Sequence, residues 1–406
     1  MDEKTFLETI LGFSAPWYIT EVEQCSTTVS IKLDYPKGTK FQCAKCGAYN
    51  STFDSKWKAY RHLDLWQYQT ILKVRIPRIK CDCNGKKITV NVSWLRQGSR
   101  FTLMMEAHIL EMAKIGAVSK ASKILRITDT RMWRVIMYHV DNCRKRADYS
   151  SVTNLGIDET SKKGHNYITN FVNLQTRKVL FVANGKDNQT ITDFANDLVS
   201  HAGKKENIIN TTCDMSLAFE KGIKREFTNS KIIIDKFHVI KSFNEALNKT
   251  LRDDIKAGYD FKNSKYIWMK NRENLTPRQE VRFKSMNKQH SKTSKAYMMK
   301  VAMQEIYLLT DKNEAAARLK KLISWMKRSR NEHMKKVANM ILNHWDNILN
   351  YFDNRLTNAI LEGINNIIQN IKHIARGFKN YDYFKTVIYL YCGAFVVEVW
   401  EHTPTK

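Results

Sequence analysis

VTNLGIDETSKKGHNYITNFVNLQTRKVLFVAN, residues 152–184 of 406, decides the fold. Its three β-rich runs, VTNLGID, NYITNFVNL and RKVLFVAN, are separated by short polar turns, as consecutive strands are. A helical segment follows near 189–201. Then come NIINTTCD (207–214), the helical SLAFEKGIKREF (216–227) and KIIID (231–235). A strand, a helix and a second strand in that order need crossover connections, so the expected core is mixed α/β with parallel pairs. From about 239 to 395 almost everything reads as helix, including KSFNEALNKTLRDDI, NEAAARLKKLISWMKRS and HMKKVANMILNHWDNIL.

Within this pattern Asp158 follows the apolar-leaning run NLGI, Asp214 follows IINTTC, and Glu362 lies far downstream in LEGINNIIQNIK. A carboxylate at the end of a buried strand is costly unless it is paired or binds a cation, so these three acids suggest a Mg²⁺ cradle. Two-metal phosphodiester chemistry needs carboxylates that hold both ions roughly 3.5–4 Å apart. On its helix Glu362 shares a polar face with Asn365 and Asn366, while Leu361, Ile364, Ile368 and Ile371 point inward. Asp235 competes for the second position, since KIIID also ends an apolar strand. Strand order favours Asp214, on the more central strand, with Asp235 and His238 as a supporting DxxH pair. The helical block between Asp214 and Glu362 must fold aside if the acids are to meet.

Upstream, Cys43-Ala-Lys-Cys46 is a CxxC knuckle followed by Gly47, and Cys81-Asp-Cys83 lies further on, with His62 between. Four thiolates on two knuckles suit a tetrahedral structural zinc with no open catalytic position, although CxC is tighter than the usual second knuckle. Between 51 and 100 eleven Lys/Arg face three acids, interleaved with Trp57, Tyr60, Trp66, Tyr68 and Trp94, a mixture that fits a nucleic-acid-facing module. The run EAHILEMAKIGAVSKASKILRITDTRMWRVIMYHV has the form of a helix-turn-helix, with Ala121, Ile124 and Leu125 inward. Thr130, Arg131 and Arg134 would then reach the major groove. The expected domains are therefore a β-rich zinc module (1–98), a helix-turn-helix (99–150), a core (151–238), an all-helical insertion (239–350) and the end of the core (351–406).

The chain carries 67 Lys+Arg against 40 Asp+Glu, a formal charge of +27. Such an excess supplies the sequence-independent phosphate attraction of a nucleic-acid-binding protein and predicts strongly salt-dependent binding. Basic runs in the insertion, among them Lys300 and the cluster Lys320, Lys321, Lys327, Arg328 and Arg330 around Trp325, are candidate clamps on DNA flanks. No uninterrupted apolar stretch is long enough to span a membrane, and the N-terminus begins with acids rather than as a secretory signal. Eight unevenly spaced cysteines do not make a secreted disulfide framework, so a reducing bacterial cytoplasm, in association with the nucleoid, is the expected setting.

GIDE (156–159), CDMSLAF (213–219), IIIDKFHVIK (232–241), KYIWMKNRENLT (265–276) and NAILEGINNIIQNIKHIARGFKNYDYF (358–384) resemble the bacterial insertion-sequence transposases of the ISL-three family. The resemblance runs through most of the chain, with the cysteine knuckles and helix-turn-helix in the family's order. It implies an α/β ribonuclease H-like catalytic core with a large all-α insertion, preceded by a β-rich zinc-knuckle module and a helix-turn-helix. It also implies a DDE triad of Asp158, Asp214 and Glu362, with Asp235 and His238 as the DxxH motif and two Mg²⁺ or Mn²⁺ ions as cofactors. Asn358-Ala359 stands where the family usually has Asn-Gly.

The activity so implied is binding of terminal inverted repeats, followed by metal-dependent strand cleavage and strand transfer on double-stranded DNA. Two ends must be joined, so a homodimer or larger assembly is expected. Two rivals are a zinc and helix-turn-helix regulator without catalysis, which the intact acids disfavour, and a ribonuclease H-like nuclease or resolvase.

Overall fold

The structure is a computed structural model and describes residues 3–13, 15–83, 85–163 and 166–393. The chain divides into two compact units, with the boundary between Arg144 and Lys145.

The first unit opens with helix α1 (Glu3–Leu11) and strands β1 (Tyr18–Gln24), β2 (Thr28–Asp34), β3 (Lys40–Gln42), β4 (Tyr49–Arg61), β5 (Gln69–Lys80) and β6 (Lys87–Thr89). They form one sheet in the order β1-β2-β5-β4-β3, with β6 pairing β5. Alternation along β2 and β5 sends Ile31, Leu33, Leu72, Val74 and Ile76 into a small core that also takes in Trp17, Tyr60 and Leu95. Helices α2 (Leu103–Ile115), α3 (Val118–Ile124) and α4 (Asp129–Lys145) follow. The Thr102 hydroxyl caps α2 by accepting from the Met105 amide, as an N-cap threonine does.

The second unit is built on a five-stranded sheet. Strands β7 (Asn154–Lys163), β8 (Asn166–Asn173) and β9 (Lys178–Asn184) run as an antiparallel meander, as the three β-rich runs predict. Helix α5 (Asn188–Ser200) then leads to β10 (Asn210–Cys213), and α6 (Leu217–Glu226) to β11 (Lys231–Ile234). Both late strands join in parallel, giving the order β11-β10-β7-β8-β9. Buried on both faces, β10 and β11 read as short continuous runs rather than alternations.

From the end of β11, helix α7 (Lys236–Lys256) leaves the sheet and packs on α8 (Lys265–Met269), α10 (Lys292–Leu308) and α12 (Glu332–Asn343), with α9 (Pro277–Asn287) and α11 (Lys312–Arg328) completing the insertion. The chain returns through α13 (Trp345–Leu349) and α14 (Tyr351–Asn354), where the Asn350 side chain donates to the Ile232 carbonyl at 2.9 Å and Asn354 to Asn210 Oδ1 at 2.9 Å. These bonds tie the end of the insertion to β11 and β10, so it folds aside as the acids require. Helices α15 (Ala359–Ile374) and α16 (Tyr381–Cys392) close the unit. Leu361, Ile364, Ile368 and Ile371 are buried along α15, as their spacing predicts. Full burial of each such side chain stabilises the fold by about 1.5–3 kcal/mol.

Among the described residues no helix is long and apolar enough to cross a membrane.

Candidate active site

Strand register sets the acids. Gly156 on β7 lies opposite Thr212 on β10, and Cys213 lies opposite Ile234 on β11. Counting forward, Asp158, Asp214 and Asp235 fall at one level across three neighbouring strands. Asp158 does not end its strand, contrary to the expectation from sequence. It lies in the interior of β7 opposite Asn170 of β8, because the antiparallel partner carries β7 beyond the point where β10 stops. Asp214 does sit directly past β10, where its Oδ1 accepts the Ser216 amide at 3.0 Å at the entry to α6. Asp235 is the N-cap residue of α7.

Helix α15 docks on this row through a close approach. A Cβ at Gly156 would stand 2.4 Å from Leu361 Cδ1 and 2.8 Å from Leu174 Cδ2, so only glycine fits beneath the helix. Two asparagines then fix α15 to the acids. The Asn358 amide donates to Asp235 Oδ1 at 3.2 Å, and Asn365 Nδ2 donates to Asp158 Oδ2 at 2.7 Å. The Asn365 carbonyl accepts from the Thr160 hydroxyl and from Asn170 Nδ2, which sets the amide with its nitrogen toward Asp158.

Asp158, Asp235, His238, Glu362, Asn365 and Asn366 all line a single cleft of ≈ 1110 Å³. Its other wall comes from the insertion, through Asn271, Arg272, Tyr297, Met298, Gln304 and Glu305. Asp214 is not among the lining residues, although its charge acts on Asp158. Burial pushes the Asp158 carboxyl up to about 6, the Asp214 charge adds to this, and His238 opposes it. Burial also raises Glu159 and Asp235, the latter against the bond from Asn358. Asp158, Asp214 and Glu362 do not all come within 4.8 Å of one another at their ligand atoms; among the described residues only a cysteine quartet does. Crowded carboxylates with no cation between them repel, and Asp158 shows it. A set of hard oxygen donors in this condition is suited to divalent cations.

The quartet is Cys43, Cys46, Cys81 and Cys83. Sulfur atoms bound at ~2.3 Å to one tetrahedral zinc lie about 3.8 Å apart. Here Cys43 and Cys83 are 3.8 Å apart and Cys46 and Cys81 3.4 Å, so the tight CxC closes the site without strain being needed. Amides of Cys46 and Lys45 draw the Cys43 thiol down to about 6, toward the thiolate a metal requires. His62 lies apart from the cluster: it is buried, with Nδ1 2.8 Å from the Thr102 hydroxyl.

In the helical segment, Ala121 and Leu125 are buried, but Ile124 is 67% exposed. The expectation that Ile124 points inward fails because α3 is short and presents only one face to its neighbours. Thr130 and Arg134 are exposed at the start of α4, whereas Arg131 packs over the Phe101 ring at 4.4 Å. Of the aromatics in the basic module, Trp57 and Trp66 are exposed and Tyr60 is buried. In the insertion Lys320, Lys321, Lys327, Arg328 and Arg330 are exposed. Lys300 departs from the basic surface run: it is 1% exposed and donates to the Met269 carbonyl at 3.1 Å, at the end of α8.

A family model described as a transposase, the DDE type of ISL3, matches residues 155–388. The chain belongs to the ISL3 family of transposases. Two further ISL3 models agree in order, a transposase zinc finger at 39–83 and a helix-turn-helix domain at 90–140. The chain is 25% identical over 378 residues to the transposase for insertion sequence element IS1001 of Bordetella parapertussis, covering 89% of this chain and 91% of that protein. It is 23% identical over 371 residues to the transposase for IS1557 of Mycobacterium tuberculosis, covering 84% and 83%. The protein is thus a DNA transposase, an enzyme of the DDE type with a helix-turn-helix DNA-binding region.

Sequence reasoning about this ISL3 transposase missed Gly156, Asn358, Thr160 and Asn170. Gly156 carries a signal, a glycine two residues before a strand acid. The two asparagines and the threonine are ordinary polar residues until the strands and α15 are brought together.

Proposed function

We propose that the five-stranded mixed sheet is a ribonuclease H-like core in which Asp158, Asp214 and Glu362 form the catalytic triad, with Asp235, His238, Asn365 and Asn366 supporting it. The observation that supports this most is that α15 returns from beyond the insertion and bonds to Asp158, so that Glu362 and Asp158 face one cleft. The sheet order, three antiparallel strands extended by two parallel ones, is that of such a core.

Asp158 and Asp214 would hold two divalent cations, Mg²⁺ or Mn²⁺, with Glu362 completing the second position. Bound there, the cations supply charge to the attacking and leaving oxygens of an in-line displacement. Asn365 holds Asp158 from one side and leaves its other oxygen turned to its own strand, where it accepts the Glu159 amide at 2.8 Å. In the first step water attacks a phosphodiester at the element end and the 3′-hydroxyl leaves. In the second that hydroxyl attacks the target strand, displacing its 3′-oxygen. Both steps need position and charge more than covalent help, and the exposed Lys and Arg residues serve to hold the strands. The N-terminal modules, with zinc on Cys43, Cys46, Cys81 and Cys83 and with Thr130 and Arg134 on α4, read the terminal inverted repeats. Arg131, packed on Phe101, contributes charge rather than a free contact. Two ends are held by two or more copies of the chain.

The test uses an end-labelled duplex carrying the inverted repeat that brackets the gene, with Mg²⁺. Wild type is expected to nick at the repeat boundary, and Asp158→Ala to bind without nicking. Equal absence of nicking in both, with binding retained, would establish the regulator in place of the transposase.

A further inference from the structure

A second cavity, of ≈ 300 Å³, lies within the N-terminal unit, lined by Lys58 and Tyr60 of β4, Ile76 of β5 and the segment 89–100 that leads into α2. No acidic residue lines it, and three cations do: Lys58, Arg96 and Arg100. They are not equivalent. Arg96 is neutralised by Glu106, to which its Nε and Nη2 donate at 2.9 and 2.7 Å, and its guanidinium lies over the Tyr138 ring at 3.8 Å. By contrast, among the described residues no carboxylate comes within ion-pair distance of Lys58 or Arg100. Two unpaired cations in one concavity raise each other's energy, and an anion relieves it.

The cavity wall is braced from behind. Glu106 is fully buried and accepts from Arg96, from the Ser99 hydroxyl and, at 2.7 Å, from His139 Nε2. Arg96 and Ser99 belong to the loop, Glu106 to α2 and His139 to α4. One buried carboxylate therefore locks the loop to both helices, and whatever occupies the cavity stands at a fixed offset from α4. Gly98, at φ +80° with nothing within 4 Å of a Cβ position, leaves the loop backbone open to close approach.

We infer that this cavity receives a backbone phosphate of duplex DNA, with Lys58 and Arg100 as the charged contacts and the braced 96–100 loop setting register for α4. The inference rests on the reading of α4 as a DNA-contacting helix. Duplex DNA is the occupant that charge favours: the anion is phosphate, and the cavity adjoins the helix-turn-helix of a chain with formal charge +27. Such a contact positions the protein without reading bases.

The experiment measures binding of the full-length protein to a fluorescent inverted-repeat duplex and to an unrelated duplex, from about 50 to 200 mM salt, a range in which phosphate contacts dominate the change in affinity. Lys58→Gln/Arg100→Gln is compared with the charge-preserving Lys58→Arg/Arg100→Lys. Zinc content and thermal unfolding confirm that both are folded. The neutralised variant is expected to weaken on both duplexes alike, with the slope of log K against log salt shallower by about one to two, roughly 0.9 for each phosphate lost. The charge-preserving variant should keep the wild-type slope. An unchanged slope in the neutralised variant, a loss confined to the repeat duplex, or an equal loss in the charge-preserving variant would overturn the assignment. Should wild type bind both duplexes equally, end recognition fails, while the slopes still decide the cavity.

Discussion

Asn365 Nδ2 donates to Asp158 Oδ2 at 2.7 Å, joining helix α15 to strand β7 across 207 residues of sequence. The bond forms where the insertion has folded aside, and its donor is oriented by Thr160 and Asn170. A partner that orients a ligating carboxylate in this way commonly contributes 10–100-fold to metal affinity or activity.

Asn365→Ala should therefore reduce strand cleavage by roughly 10–100-fold and raise the Mg²⁺ concentration needed for half-maximal rate. Asn365→Asp places a second carboxylate against Asp158 and should do worse than alanine. Cleavage rates across a Mg²⁺ titration measure both. A wild-type Mg²⁺ requirement in Asn365→Ala would refute the positioning role.

Gly156→Ala should destabilise the second unit by about 1–3 kcal/mol, the usual cost of overpacking. Its Cβ meets Leu361 Cδ1 at 2.4 Å, and Leu361 is 1% exposed, with little room to yield. Adding Leu361→Ala should restore part of the loss, since the two changes share one contact. Urea midpoints of the single and double variants provide the comparison.

How far the sequence foretold this site varies by element. The strands β7 to β11 and the buried face of α15 were legible because period-two and helical spacing are local properties of the chain. The interior position of Asp158 was not, because the length of β7 depends on β8, a partner chosen in three dimensions. Ile124 was misread for a related reason: helical spacing marks a stripe, and the packing of a seven-residue helix decides which part of it is covered. The insertion's share of the cleft, Asn271, Tyr297 and Gln304 among others, left no sequence signal, since it exists only where α10 passes the sheet edge.

His62 gives the N-terminal unit a dependence on pH. Burial, with the Arg61 charge, lowers its imidazole to about 4 from an ordinary 6.5. Above pH 6.5 the ring is neutral in both folded and unfolded chains and costs nothing. As pH falls from 6.5 to about 4 the unfolded chain takes a proton that the folded unit refuses, so stability drops, by about 3 kcal/mol in all. Urea unfolding at pH 7 and pH 5 should show this loss in wild type and a smaller one in His62→Gln. Equal losses would assign the acid sensitivity elsewhere.

The four cysteines should bind one zinc per chain, measured by elemental analysis of protein purified without chelator. Cys43→Ala should lower that content, and a strong chelator should weaken the first unit's protection from hydrogen exchange, because metal binding and folding are coupled in small zinc modules. Full protection after complete removal of zinc would show that the sheet stands without it.

The central claim, that Asp158, Asp214 and Glu362 hold the catalytic cations, is tested most directly by cysteine substitution with metal rescue. Sulfur binds Mn²⁺ better than the harder Mg²⁺, so a ligand replaced by cysteine loses activity selectively in Mg²⁺. Asp158→Cys, Asp214→Cys, Glu362→Cys and Asp235→Cys are assayed for cleavage of the labelled repeat duplex in each metal. The account predicts loss in Mg²⁺ and recovery in Mn²⁺ at 158, 214 and 362, with no recovery at 235. Recovery at 235 and none at 214 would contradict it.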